Sequence, residues 1–211
     1  MKINVVMVEP EIPQNTGNIA RTCAAIGAKL HLVHPLGFSI SEKAVKRAGL
    51  DYWDKVEIEE HNSFCEFLEK YKPEENNMFF ATTKGKHVYS EPNYSKMEEV
   101  FLLFGKETKG LPEDILQKYI DKTIRIPMRN NLRSLNLSNS VAIVVYEVLR
   151  QKEFENLEEI SSYFDKKWEK MSNFATKSLK KFREKLGFSL ILWDNIYELF
   201  NQEIFDQKSR F

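Results

Sequence analysis

Cysteine is scarce in this sequence. Only Cys23 and Cys65 occur among 211 residues, which excludes a disulfide framework and is typical of a reducing compartment. Long apolar runs are also missing, since no stretch of about eighteen apolar residues offers a membrane span. The strand-like start, Met1–Val8, lacks the longer apolar core and small-residue cleavage site of a signal peptide. The sequence therefore predicts a cytoplasmic protein without a membrane segment.

An excess of charge of either sign is absent too. The chain has 31 basic and 31 acidic residues, which argues against a protein that coats nucleic acid nonspecifically, because such binding depends on neutralising phosphates. Between Gly105 and Arg133, however, seven basic residues stand against four acidic ones. This local excess has two interpretations, a solvated charged face or a basic surface for nucleic acid.

Common nucleotide and metal motifs are lacking. No G-x-G-x-x-G follows a strand-like run and no Walker loop occurs, which argues against nucleotide oxidoreductases and NTPases. The four histidines and two cysteines form no zinc-like cluster in the sequence. His31 and His34 flank a predicted strand and are interpreted as structural. We therefore expect no metal.

The sequence does contain an alternation of strand-like and helical segments. Five runs are short, apolar and rich in branched or aromatic residues: Val5–Val8, Leu30–His34, Met78–Ala81, Val100–Phe104 and Thr123–Ile126. Helical spacing or helix-start residues mark four others: Asn18–Ile26, Ser63–Tyr71, Pro112–Tyr119 and Val141–Leu149. The last would also suit a buried strand, and is assigned as a helix because Ser138, Asn139 and Ser140 are good N-cap residues. The alternation predicts an α/β fold, a parallel sheet with helices on both faces.

Composition changes near Arg150. From Gln151 onward, charged residues alternate with apolar ones in helical rhythm, and eleven basic residues balance eleven acidic ones. Helices are predicted over Phe154–Met171, Phe174–Leu186 and Leu190–Phe205. We therefore divide the chain into a domain of residues 1–150 and a helical C-terminal extension of residues 151–211, interpreted as a packing or dimerisation appendage.

Unusual loops follow three of the predicted strands. They are Ala81–Gly85, Gly105–Pro112 and Met128–Asn139. In open α/β sheets ligands bind beyond the carboxyl ends of the strands, and glycine lets the backbone approach a ligand closely. Each loop alone is usually a simple turn, whereas the three together predict a pocket.

The loop after the first strand leads into the first predicted helix. Two prolines stiffen it, Thr16 is a candidate N-cap, and Gly27 a candidate end of the helix. Arg21 lies two residues beyond Ile19, about 200° around a helix. It should therefore point away from the apolar stripe, towards solvent, a ligand or another subunit.

Three of these segments carry a resemblance to a known family. Pro10–Thr22, Phe104–Pro112 and Ile126–Asn139 resemble the motifs of the SPOUT methyltransferases, and most closely the TrmL (YibK-like) tRNA 2′-O-methyltransferases. The run Ser134-Leu-Asn-Leu-Ser-Asn139 after Ile126-Pro-Met128 is specific to them. The resemblance covers roughly Met1 to Arg150. The tail is longer than expected for this subfamily.

The resemblance implies a C-terminal trefoil knot, a homodimer with active sites at the subunit interface, S-adenosylmethionine as cofactor and tRNA as substrate. Cofactor contacts are implied for five positions: Ala81, Thr82, Gly105, Ile126 and Ser134. Ser134 and Asn136 are implied to border the reacting centre, and Arg21 to act on the ribose hydroxyl. Asn15 and Glu107 lie in the same motifs.

The implied reaction is methylation of a ribose 2′-hydroxyl, at the wobble nucleotide of the anticodon. Methyl transfer from a sulfonium needs positioning more than a metal. A guanidinium is rarely neutral, so we interpret Arg21 as an electrostatic stabiliser of the alkoxide, with a phosphate or water accepting the proton. Two alternatives stay open: a methyltransferase acting on ribosomal RNA, and a non-catalytic RNA-binding protein of the same fold.

Overall fold

The computed structural model describes residues 1–40, 52–72, 77–130 and 132–158, together with residues 161, 162, 170, 173, 177 and 178. Seven strands occur among them: β1 Lys2–Val8, β2 Lys29–Val33, β3 Ile58–His61, β4 Met78–Ala81, β5 His87–Val88, β6 Glu99–Phe104 and β7 Thr123–Arg125. The α-helices in the same residues are α1 Pro13–Ile26, α2 Phe64–Tyr71, α3 Glu113–Lys118 and α4 Leu137–Gln151. Three short 3₁₀ helices complete the elements: η1 Trp53–Lys55, η2 Tyr94–Lys96 and η3 Ile120–Lys122.

The described strands form one parallel sheet in the order β3-β2-β1-β6-β4-β7-β5. Its central strands are the apolar runs that the sequence marks, because a parallel strand buried on both faces needs apolar side chains on both. Two strands were not predicted. β3 (Ile58–His61) is an edge strand of mainly polar residues, and β5 (His87–Val88) has only two residues.

Helices cover both faces of the sheet, as predicted. On one face α1 and α4 pack against the sheet with residues such as Ile19, Val141 and Val145. On the other face α2 and α3 do so with Phe67 and Ile115. The predicted α/β architecture is confirmed.

The first helix begins earlier than the sequence suggested. α1 starts at Pro13, directly after an Ile12 N-cap that makes no side-chain cap hydrogen bond, and it ends at Gly27 in the left-handed conformation (φ 69°). The prediction that Thr16 caps this helix was wrong. Thr16 is a buried residue inside it, and its hydroxyl donates to the Ile12 carbonyl at 3.5 Å.

The last described helix also has a different cap from the predicted one. α4 is a helix, as expected, but its N-cap is Asn136, whose side-chain oxygen accepts hydrogen bonds from the backbone N–H groups of Ser138 and Asn139. The helix therefore starts at Leu137, four residues before the predicted start. Asn136 is one of the predicted site residues, so the start of the helix and the site share a side chain.

The compact unit that contains the sheet is Met1–Leu157. After α4 the chain forms turns, with positive φ at Phe154 and Asn156, so the helix predicted from Phe154 does not begin there. The rest of that helix, and the predicted helices over 174–186 and 190–205, lie almost wholly outside the described residues. The division at Arg150 remains a prediction. None of the described helices is long and apolar enough to cross a membrane.

Candidate active site at the carboxyl edge of the sheet

Four adjacent strands bring the predicted loops together. β1, β6, β4 and β7 are neighbours in the sheet and run parallel. Their carboxyl ends therefore meet at one edge. The loops that follow them hold the segments singled out in the sequence, residues 9–12, 105–111, 82–86 and 126–136.

A chain of hydrogen bonds joins three of these segments. The Glu107 carboxylate accepts from the backbone N–H of Glu11 at 2.9 Å and of Ile12 at 3.3 Å, and from Asn15 Nδ2 at 2.9 Å. Asn15 is buried, and its Oδ1 accepts from Asn136 Nδ2 at 3.0 Å. We call Glu107, Asn15 and Asn136 the polar relay. It links the start of α1, the loop after β6 and the start of α4.

Two members of the polar relay also serve backbone groups. Glu107 accepts from the N–H groups of Glu11 and of Ile12, the N-cap of α1, and the N–H groups at the start of a helix have no intrahelical partner. Asn136 Oδ1 accepts from Ser138 N at 3.0 Å and from Ser138 Oγ at 2.7 Å. The relay therefore fixes where both helices begin relative to the strand ends.

A second set of contacts holds the loop after β1 against the loop after β6. Lys106 Nζ pairs with Glu9 at 2.5 Å. The backbone N–H and the hydroxyl of Thr108 donate to the Glu11 carboxylate at 3.1 and 2.8 Å. These residues were not predicted to belong to the site. Their partners are almost a hundred positions away, so no local pattern could have shown the pairing.

Gly105 is required by the protein's own backbone. A Cβ built there would lie 2.0 Å from the carbonyl carbon of Gly110 and 2.1 Å from the amide nitrogen of Leu111. Lys106 and Gly110 form a bridge across this turn. A side chain at Gly105 would therefore collide with the turn itself.

Arg21 is exposed on α1, as its helical position predicts. Its guanidinium carbon lies 4.8 Å from the ring centroid of Tyr52. With the other described residues it makes no hydrogen bond and no ion pair. The structure therefore brings Asn15, Glu107 and Asn136 together, whereas no hydrogen bond or ion pair joins Arg21 to that relay among the described residues.

A cavity of about 280 Å³ lies beside β4 and α3. It is lined by Thr82, Lys84, Glu113, Leu116, Gln117, Ile120 and Thr123. Of the five predicted cofactor residues only Thr82 belongs to this lining. We place more weight on the strand-end loops than on this cavity, because the polar relay converges on the loops.

A buried histidine pair lies elsewhere, between the sheet and α2. His31 Nδ1 and His61 Nε2 are 3.1 Å apart, and His31 Nε2 is 3.1 Å from Asn4 Oδ1. The Asn4 amide nitrogen is directed to Glu99 at 3.0 Å, which identifies the oxygen as the atom facing His31. His31 therefore carries its proton on Nε2, and its Nδ1 accepts from His61. Burial lowers the pKa of His31 to about 3 and also lowers the pKa of His61.

Glu59 lies next to this pair, and the three side chains could reach one metal ion because their ligand atoms lie within 4.8 Å of one another. The sequence did not indicate this cluster, since His31 is 30 positions away from His61. The carboxylate is already engaged by Lys29 at 3.0 Å and by Lys70 at 2.6 Å, and by the Tyr71 hydroxyl. Burial raises the pKa of Glu59, but the hydrogen bonds outweigh burial and lower it to about 2. We interpret the cluster as structural.

The chain matches a known protein family over most of its length. A model of the SpoU rRNA Methylase family matches residues 2–146, which is more than half of the chain. The chain belongs to the SpoU rRNA Methylase family. The matched residues include all the strands that the structure describes and the polar relay, so the family assignment and the site rest on the same part of the chain.

Relatives and solved structures that are similar to this chain cover 71% to 74% of it. A Bacillus subtilis protein provisionally named tRNA (cytidine(34)-2'-O)-methyltransferase is 49% identical over 156 residues, 74% of this chain and 96% of that protein. A structure described as "Structural insights into the 2-OH methylation of C/U34 on tRNA" is 42% identical with a TM-score of 0.66, covering 73% of this chain and 98% of that chain. An AdoMet-bound rRNA methyltransferase from Sinorhizobium meliloti is 27% identical with a TM-score of 0.62, covering 71% and 56%.

The strand-end loops of this SpoU chain offer free polar groups to a nucleoside ligand. The backbone groups of Gly105 and Ile126 and the exposed hydroxyl of Ser134 make no hydrogen bond with another described residue. Thr82 differs, because its amide donates to the Ile124 carbonyl at 2.9 Å. The free groups suit the polar edges of an adenosyl ligand, which is the kind of ligand that the Sinorhizobium relative binds.

Proposed function

We propose that this protein methylates the ribose 2′-hydroxyl of nucleotide 34, the wobble position, in tRNA. The observation that carries the proposal is the polar relay, which joins the three family motifs at the carboxyl edge of the sheet. The relatives that cover the same residues are named for 2′-O-methylation of this nucleotide. A tRNA substrate also favours a cytoplasmic location.

S-adenosylmethionine supplies a methyl group that its sulfonium has already activated. Five residues of this chain are proposed to hold it: Ala81, Thr82, Gly105, Ile126 and Ser134. Gly105 and Ile126 contribute free backbone groups and Ser134 a free hydroxyl. Thr82 contributes its side chain or its position, because its amide already donates a hydrogen bond to the Ile124 carbonyl in the sheet. Most of the rate would come from aligning donor and acceptor.

Arg21 is the residue proposed to act on the reacting oxygen. A new bond forms between the ribose oxygen and the methyl carbon, the carbon–sulfur bond breaks, and the hydroxyl proton passes to a phosphate or water. Arg21 stays protonated and stabilises the negative charge that develops on the oxygen. Its N–H donors are free for this role within the described residues.

Ser134 and Asn136 have different roles in this proposal. Ser134 borders the reacting centre with an exposed side chain. Both ends of the Asn136 amide are occupied, the oxygen by the start of α4 and the nitrogen by Asn15. Asn136 therefore acts by holding the loop after β7 in place, and Ser134 on that loop faces the ligand.

We further propose a homodimer in which Arg21 of one subunit serves the cofactor loops of the other. Arg21 points outward and makes no contact with its own relay. Ile12 and Tyr146, on the adjacent helices α1 and α4, are 41% and 47% exposed, and large exposed apolar side chains are common at subunit contacts. Sedimentation should give twice the chain mass of 24.8 kDa. A fully active monomer would refute this arrangement.

The trefoil knot and the helical extension of residues 151–211 complete the proposal. The knot is proposed because the chain belongs to the SpoU rRNA Methylase family. Near the site, Gly85 lies against β7, and a Cβ there would be 2.5 Å from the Ile124 carbonyl carbon. The balanced charge of the extension suits packing or dimerisation better than catalysis.

The deciding experiment uses tRNA transcripts and radiolabelled S-adenosylmethionine. We expect one methyl group per tRNA at nucleotide 34, located by nucleotide mapping. A matched transcript with a 2′-deoxyribose only at nucleotide 34 should accept none. Labelling of that control, or mapping of the methyl group to another nucleotide, would refute the wobble assignment.

Ribosomal RNA is the second candidate substrate, because the matching family model and the Sinorhizobium relative are named for rRNA. Ribosomal RNA belongs in the same assay, and preferential labelling of it would favour this alternative. A non-catalytic RNA-binding protein would not need S-adenosylmethionine, so a calorimetric titration with the cofactor distinguishes it from both enzymes.

A further inference from the structure

Tyr52 presents its ring to two cations. The guanidinium carbon of Arg21 lies 4.8 Å from the ring centroid, and Lys55 Nζ lies 5.3 Å from it. Both distances are within the range of cation–π attraction, up to about 6 Å. Tyr52 itself is 37% exposed, so the contact is on the surface of the molecule, beside α1.

The backbone that carries Tyr52 is anchored. Tyr52 precedes η1, and its carbonyl accepts from Lys55 N at 3.0 Å. Trp53, the first residue of η1, and Val56, the residue that follows η1, pack against the buried core of the sheet. The ring therefore rests on a fixed base, although it lies at the surface.

Arg21, by contrast, is held by nothing else that the structure describes. Its partner in that part of the chain is the Tyr52 ring, with no hydrogen bond and no ion pair besides. A guanidinium that stacks on an aromatic face keeps its in-plane N–H donors free. An arginine on α1 that was not stacked would sample many rotamers, and it would lose that freedom on meeting the substrate.

We propose that Tyr52 is a positioning residue for methyl transfer, which holds the Arg21 guanidinium over its ring and leaves the guanidinium N–H donors for the ribose oxygen. This inference rests on the proposed function and gives it a residue outside the three motifs. Tyr52 acts through Arg21 and not on the substrate. Lys55 shares the ring but lies on the exposed side of η1, and it has no part in the reaction.

The test compares four full-length proteins in steady-state methylation of the tRNA transcript. Tyr52→Leu keeps apolar bulk but removes the π face, and should lower kcat by roughly 3- to 10-fold with little change in KM. Tyr52→Phe retains the face and should stay within twofold of the wild type. Lys55→Ala is the matched control, since it removes the other cation on the ring, and should also stay within twofold.

A double-mutant cycle then separates positioning from general damage. In the Arg21→Ala background, Tyr52→Leu should cause no further loss, because the residue through which it acts is gone. Equal losses in both backgrounds would overturn the inference, as would wild-type kcat for Tyr52→Leu or a Tyr52→Phe variant as impaired as Tyr52→Leu. Thermal melting and cofactor calorimetry establish that each variant is folded.

The experiments distinguish a wrong substrate from a wrong role for Tyr52. A wild-type protein that methylates ribosomal RNA in place of tRNA overturns the proposed substrate, and the same cycle run on that RNA still tests Tyr52. A wild-type protein that methylates no RNA overturns both.

Discussion

Glu107 accepts three N–H groups with two oxygens, one from Glu11 at 2.9 Å and two on the other oxygen, from Ile12 and Asn15. A carboxylate is suited to this because it accepts and does not donate. An amide in its place would turn one NH₂ group towards another donor. The negative charge also lies at the start of α1, where the helix dipole favours it.

Replacing Glu107 by Gln should therefore lower the free energy of unfolding by about 1–3 kcal/mol, the cost of leaving half-buried donors unpaired. Urea denaturation measures this directly. Glu113→Gln is the control, because Glu113 pairs with Lys84 at a surface where both side chains are largely exposed, and such pairs contribute at most about 1 kcal/mol. Equal stability of the two variants would show that the relay does not hold the loops.

For Arg21 we expect a loss of methylation rate without a loss of cofactor binding. Arg21→Ala should reduce methylation by roughly 10²- to 10³-fold, the size typical of losing one electrostatic stabiliser. Cofactor affinity should be nearly unchanged, since the proposed cofactor loops come from other segments. Arg21→Lys should restore little, because a point charge does not replace a planar fork. Cofactor binding that fell with the rate would contradict this assignment.

At the scale of elements, sequence pattern predicts the central strands and the helices that cover them. The apolar runs such as Val100–Phe104 lie where they were expected, within β6. The edge strand β3 was missed because its sequence, Ile-Glu-Glu-His, is polar. Its polar side chains form hydrogen bonds and ion pairs with residues of α2 and β2. A period-two pattern along one strand cannot show such contacts with other elements.

The site was predictable as a set of loops but not as a set of contacts. The motif residues Asn15, Glu107 and Asn136 could be named from the sequence, but their hydrogen bonds span 92 and 121 positions. The cap of α4 shows the same limit. Ser138, Asn139 and Ser140 are all good N-cap residues by sequence, but the residue that caps α4 in the structure is Asn136.

The packing of β2 and β3 against α2 should make the protein sensitive to acid. Burial keeps His31 neutral when folded, with a pKa of about 3, and also lowers the pKa of His61, whereas an imidazole in the unfolded chain protonates near its ordinary pKa of 6.5. Below that pH the unfolded state binds more protons, so the free energy of unfolding decreases, by about 1.4 kcal/mol per pH unit for His31, and His61 adds to the decrease in the same direction. Glu59, with a pKa lowered to about 2 from 4.5, adds to the loss only below about pH 4.5.

Urea denaturation between pH 6.5 and 5 isolates the histidine contribution. His31→Gln should reduce the slope of stability against pH, even though the variant is less stable at every pH. His87→Gln is the control, because His87 is exposed beside Glu91 and lies outside this cluster. A wild-type stability that did not change over this interval would contradict the neutral, buried pair.

At the scale of the whole molecule, we propose a boundary after Leu157, because residues beyond Arg150 make contacts within the compact unit Met1–Leu157. The Gln151 side chain accepts from the Tyr94 amide at 2.9 Å and donates to the Pro92 carbonyl at 3.2 Å. Phe154 and Leu157 pack against the core of the sheet. The chain thus remains part of the first unit for several residues beyond the composition change.

Two truncated proteins test this boundary and the role of the tail together. Ending the chain after Leu157 should preserve folding and chemistry, and should reduce dimer strength or tRNA affinity at most. Ending it after Arg150 should cost about 2 kcal/mol or more in addition, because it removes the Gln151 hydrogen bonds and two apolar side chains from the core. Urea denaturation, sedimentation and tRNA methylation give the three readouts. Equal stability of the two truncations would return the boundary to Arg150.

The protein that ends at Leu157 also tests whether the tail takes part in catalysis. If it stays folded, dimeric and tRNA-bound but loses turnover as completely as Arg21→Ala, the tail must supply catalytic groups. A catalytic domain confined to the sheet and its helices would then be wrong.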